Sequence, residues 1–148
     1  MSHRSCSYAL PLLLLAACSS DPEPSAGSLA GTYYGDFTID NDDPTKSVFA
    51  RAELVVDGSG DLGASTFTTK APTDTIGEVA TASGIIESRG STQFDVILEV
   101  SFPTLGDFTA TGNGVYSDVT GQLGAMLITR DGNGAVIGSS ILSLQRDL

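Results

Sequence analysis

The sequence has no Trp, a single His, and only two Cys and two Met. Basic residues are scarce as well. Seven Lys and Arg stand against 18 Asp and Glu, for a formal net charge of -11. Each shortage excludes something. A chain this acidic is repelled by phosphate backbones, which argues against nucleic acid as a partner. Anionic lipid headgroups repel it too, so any membrane contact must rest on something other than a basic face. The apolar run from Ala9 to Ala17 falls well short of the roughly 20 residues that a membrane-spanning helix needs. What remains is a chain of 148 residues, 41% apolar and 17% charged, a composition that argues for folding and for one domain.

Residues 1–17 read MSHRSCSYALPLLLLAA. His3 and Arg4 form a short polar head, an apolar stretch follows, and two small residues close it. That is the layout of a secretory signal peptide. Pro11 within the run argues against a buried helix. Leu15-Ala16-Ala17-Cys18 resembles the lipobox of bacterial lipoproteins. The resemblance implies cleavage between Ala17 and Cys18, and diacylglyceryl transfer to the Cys18 thiol, the one side chain there nucleophilic enough to accept it. Each buried methylene contributes about 0.8 kcal/mol, so two or three acyl chains, palmitate among them, make a durable anchor. Ser19, by the same resemblance, implies export to the outer membrane. Residues 18–28 then form a lipidated, Pro-, Ser- and acid-rich tether.

Cleavage would remove Cys6, His3 and Arg4 and consume Cys18. The processed chain would then hold neither His nor a free thiol. Triads built on His, and zinc or iron sites built on His and Cys, are closed to it. Only paired carboxylates, a Ser-Lys pair with Lys46 or Lys70, or an oxygen-ligated metal would remain as routes to catalysis. The expectation is a non-enzymatic protein without a cofactor.

From residue 29 to 148 apolar and polar residues alternate in short runs. Tyr33, Gly35, Phe37 and Ile39 are one such run; Phe94, Val96, Leu98, Val100 and Phe102 are the clearest. Others centre on 50–56, 62–66, 80–86, 108–114, 123–129 and 136–144. Period 2 marks half-buried antiparallel strands. Asp57-Gly58-Ser59-Gly60-Asp61 and Asp131-Gly132-Asn133-Gly134 supply hairpin chemistry. About eight sequential strands make an all-β up-and-down meander. Closing it into a barrel removes both exposed edges; a β-sandwich is the alternative.

Leu29-Ala30-Gly31-Thr32-Tyr33-Tyr34-Gly35 opens the first strand and resembles the start of lipocalin-type barrels. In that family a Gly-x-Trp opens strand one, and an Arg from the last strand packs across the aromatic ring. Here Gly31 and Tyr33 hold those places, with Tyr for Trp, and Arg146 is the candidate partner for barrel closure.

Other candidates read more plainly. Asp57, Ser59 and Asp61 have calcium-loop spacing, but Leu62 and Thr68 stand where Gly and Glu are needed. Asp40 to Asp43 read as a solvated acidic loop. Asp95 and Glu99 lie on one strand face roughly 13 Å apart, beyond the range of a glycosidase pair. The presumed inward row is rich in small residues, among them Ala50, Ala52, Ala64, Ala80, Gly84 and Ala110. Either a cavity or a core packed around Tyr33, Phe37, Phe94, Phe102 and Phe108 satisfies that pattern. Three functions stay open: a barrel holding a small apolar ligand, a solid module meeting an envelope protein, and a carboxylate-based hydrolase.

Overall fold

A computed structural model describes residues 29–73 and 77–147. Within them the chain forms eight strands joined in sequence order: β1 (Gly31–Asn41), β2 (Val48–Val56), β3 (Ser65–Thr69), β4 (Val79–Ser88), β5 (Gln93–Phe102), β6 (Gly106–Ser117), β7 (Gln122–Asp131) and β8 (Val136–Arg146). A single 3-10 turn at Pro44–Lys46 interrupts the β1–β2 link. Every neighbouring pair is antiparallel, and β1 pairs with β8, so the sheet is a closed barrel. This is the meander that the hairpin spacing predicts. Closure removes both edges that an open sheet would expose.

Register follows from the alternation. Tyr33, Phe37 and Ile39 on β1 face inward, opposite Arg146, Leu142 and Ser140 on β8. Even-numbered residues turn inward on β2, β4, β5, β6 and β8, and odd-numbered ones on β1, β3 and β7. Apolar rows therefore line the inside, while Asp36, Glu53, Glu87, Asp95 and Glu99 stand outside at mid-strand. A barrel that faces lipid has the reverse order.

The interior is filled. Phe37 and Phe67 pack with ring centroids 4.5 Å apart at mid-barrel. Phe102 and Phe108 meet edge to face at one end, and Tyr33 and Tyr116 at the other. The small inward residues make room for these rings. A Cβ on Gly114 would come within 2.4 Å of the Phe94 ring, so this glycine lets the ring cross the strand. The polar residues inside are paired: Thr129 and Ser140, both fully buried, share a short hydrogen bond between their hydroxyls. Among the described residues no buried side-chain nitrogen or oxygen lacks a partner.

The third strand departs from the alternation expected at 62–66. Leu62 makes only an isolated bridge to Val56, and the strand begins at Ser65. The inward residues are Ser65, Phe67 and Thr69, while Ala64 is exposed. The reason lies in the preceding turn. Its backbone pairs with β4 as well as with β2, through Leu62 N–H to Gly84 O at 3.0 Å and Ile86 N–H to Gly60 O at 2.8 Å on one side and Gly63 N–H to Val55 O at 2.7 Å on the other. Between the Val56–Leu62 and Glu53–Thr66 pairs this segment holds one residue more than β2. That extra residue reverses its parity, because each residue of shift exchanges the two faces. Phe67→Ala is accordingly expected to cost about 3–5 kcal/mol. Ala64→Ser is expected to stay within about 0.5 kcal/mol of the parent. Urea unfolding of both variants checks the reversed face.

Candidate functional site

The end of the barrel where β1 begins gathers the residues that the amino-terminal motif singles out. Gly31, Tyr33 and Arg146 come together there, with Arg146 the cross-strand partner of Tyr33. The Arg146 guanidinium donates to the Ala30 carbonyl and to the Tyr116 hydroxyl, the latter at 3.3 Å. Its Nε lies 2.7 Å from where a Cβ on Gly31 would stand, and Gly31 has φ of 152°. Both the space and the backbone angle call for glycine at that position.

Tyr33 is fully buried, and its hydroxyl donates to the Leu29 carbonyl at 2.8 Å. Burial pushes its pKa up to about 12, the nearby Tyr116 adds to the rise, and Arg146 opposes it. The ring that packs edge-on against Tyr33 belongs to Tyr116, with centroids 6.4 Å apart. Tyr116 is absent from the sequence-based set. Its inward parity at the end of β6 was the available signal, but nothing in the sequence shows that β6 ends beside β1 and β8.

Ala17 and Cys18, the expected processing and lipidation positions, lie outside the described residues, as do the rest of the signal segment and the tether. The acidic candidates are mostly engaged locally. One Asp57 carboxylate oxygen accepts from the Ser59 N–H, the Ser59 hydroxyl and the Asp61 N–H. These bonds, the Ser59 hydroxyl foremost, hold its pKa below the usual range. Asp43 caps the 3-10 turn through Thr45, whose hydroxyl does most to lower the Asp43 pKa. Asp95 pairs with Arg89 at 2.7 Å, and Glu99 accepts from the Ser83 hydroxyl at 3.4 Å. Lys70 pairs with Asp36, and Lys46 with Asp43. Among the described residues no group of three or more His, Cys, Asp or Glu is placed to hold a metal ion.

Concavity is found on the outside of the wall. A groove of about 630 Å³ with a mixed polar and apolar lining runs past Ser83, Glu99, Phe108 and Arg130. Ser101 donates to Asp107 along its side at 2.6 Å. Two less polar depressions, about 630 and 430 Å³, adjoin on β6, β7 and β8, the larger reaching Tyr34 and Asp36 on β1, and share Val115, Gly124 and Ser143. Comparison with protein-family models, with curated proteins and with solved structures found no match to the chain.

The buried Tyr33 phenol has a consequence for alkaline stability. The unfolded phenol loses its proton near pH 10, the folded one near 12. Between those values the unfolded state binds fewer protons, so stability falls as pH rises. Tyr33 contributes in full below pH 10, and the loss by pH 12 is about 2–3 kcal/mol. Denaturant titrations from pH 9 to 12 are expected to show this decline in the parent and a shallower one in Tyr33→Phe.

Proposed function

We propose that this chain is a non-enzymatic lipoprotein of the bacterial cell envelope, held at the outer membrane by acyl chains on Cys18. Its barrel acts as an interaction module and meets an envelope protein through the outer surface. The anchor reading is supported by Leu15-Ala16-Ala17-Cys18 at the end of an apolar run. The interaction reading is supported by one observation above all: the barrel interior is occupied. Tyr33, Phe37, Phe67 and Phe94 are each 0% exposed inside it. A small apolar ligand would have to displace those rings, and emptying a packed core costs several kcal/mol. The grooves open on the outside, where another macromolecule has access to them.

Chain connectivity sets the direction of the module. The described chain begins at Leu29 and enters β1 at the end closed by Tyr33, Tyr116 and Arg146. The β1–β2, β3–β4, β5–β6 and β7–β8 connections lie at the opposite end.

Two measurements test this reading. A fluorescent fatty-acid analogue is expected to bind no more tightly than it binds an unrelated acidic barrel. Saturable one-to-one binding, lost on substitution of Phe37 or Phe94, would reinstate the ligand-holding barrel. Cys18→Ser is expected to release the protein from membranes and to leave the uncleaved precursor. Normal processing and full membrane retention in that variant would contradict the anchor.

A further inference from the structure

We infer that the outer face of β6, β7 and β8 is a self-association surface, on which two copies of the chain pack face to face. The inference rests on the reading of the barrel as an interaction module, and it names the partner as a second copy.

The first observation is charge. Outward side chains from Thr109 to Ser117, from Gln122 to Ile128 and from Ser139 to Gln145 carry none. Outward positions on β1, β2, β4 and β5 carry Asp36, Arg51, Glu53, Glu87, Asp95 and Glu99. In a chain of net charge -11, two copies repel each other through most of their surface. Here three adjacent strands offer a neutral panel, and it is apolar in part. Met126 is 73% exposed, Val115 61%, Ile128 52% and Ile141 51%.

The second observation is shape. Cross-strand register sets Asn113, Met126 and Ile141 in one row, and Val115, Gly124 and Ser143 in the parallel row two residues away. On β7 and β8 the first row is large and the second small. The glycine is not required by the fold. The nearest atom to an added Cβ on Gly124 is the Leu142 carbonyl oxygen at 3.9 Å, an ordinary contact. A glycine within a strand weakens it and often marks a place where another group approaches closely. Gly124 floors the dent shared by the two adjoining depressions.

Ridge and dent lie on the same strand, and this selects the partner. A two-fold axis in the plane of contact, along the row Gly114–Ala125–Leu142, sets each Met126 over the other copy's Gly124. The same rotation sets each Ile141 over Ser143. One patch thereby fits itself, as a two-fold interface requires, with the sheets about 10 Å apart. The rotation also carries Arg130, five residues beyond Ala125, toward the other copy's Ser117–Gly121 turn, where Asp118 is exposed. Three strands about 4.8 Å apart present roughly 14 by 30 Å on each copy, about 800 Å² over the two, below the range of stable specific interfaces and within that of weak, transient ones. The dimer is therefore weak and concentration-dependent.

Met126 supplies the test, since Met1 is the other methionine of the chain. Full-length protein is grown with a diazirine analogue of methionine, half of it heavy-isotope labelled, and irradiated in cells. The expected product is a two-copy adduct of mixed isotope that joins position 126 to the β7 segment around Gly124. Gly124→Phe fills the dent and is expected to cut this adduct by roughly tenfold or more while the melting temperature holds. Ile141→Lys is expected to do the same by introducing like charge. A mixed-isotope adduct indifferent to both variants would overturn the geometry. Adducts from position 126 to other proteins alone would overturn self-association and leave the interaction module standing. Folded protein that yields no adduct from position 126 would overturn both for this face.

Discussion

The pairing of β1 with β8 is the contact on which the rest of the structure depends. It joins residues far apart in sequence, with Tyr33 opposite Arg146 and Asn41 opposite Gly138. Without it the meander would end in two unpaired edges. With it, one parity of residues must point inward around the whole ring. A slip of a single residue along this seam would turn Tyr33, Phe37 and Ile39 to water and bring Tyr34, Asp36 and Thr38 inside. The register is therefore secured by the large apolar side chains at the seam as well as by its hydrogen bonds. Arg146 adds a side-chain lock at one end through Ala30 and Tyr116.

Closure also sets the interior volume, and that volume explains the mixture of residue sizes. Rings at mid-barrel and at both ends occupy space that alanines and glycines leave. Two glycines on neighbouring strands show how one residue type serves different ends. Gly114 faces inward and makes way for the Phe94 ring, so the fold requires it. Gly124 faces outward with room for a side chain, so its explanation lies outside the barrel. A filled interior moves recognition to the wall, where the charge is unevenly spread. Acidic residues occupy the outer faces of β1, β2, β4 and β5, whereas the short β3 and the panel on the adjacent β6, β7 and β8 carry no charge at mid-strand.

Much of this architecture is legible in the residues. Alternation gives the strands because a pleated backbone sends neighbours to opposite faces, and Gly- and Asn-containing turns give the order of pairing. Phe94 to Phe102 is read without error, since five inward residues in a row leave one parity to choose. Leu62 does pack against the core, but the third strand is misread after it, because Ala64 and Thr66 continue its alternation as well as Phe67 and Thr69 begin theirs. Local pattern carries no record of the extra residue that shifts this segment against β2. Gly31, Tyr33 and Arg146 are legible as a set, whereas Tyr116 enters only through proximity across the barrel mouth.

By itself the sequence determined the strand-rich meander, the acidity, and the rarity of the nucleophiles and metal ligands that His and Cys supply. These are local or compositional properties, fixed by residue type and spacing along the chain. Tertiary structure alone decided that the barrel is full, that Tyr116 joins the closure, and that a neutral ridge lies beside an outward dent. Those features depend on register between strands remote in sequence, and register is set by how the closed ring packs as a whole.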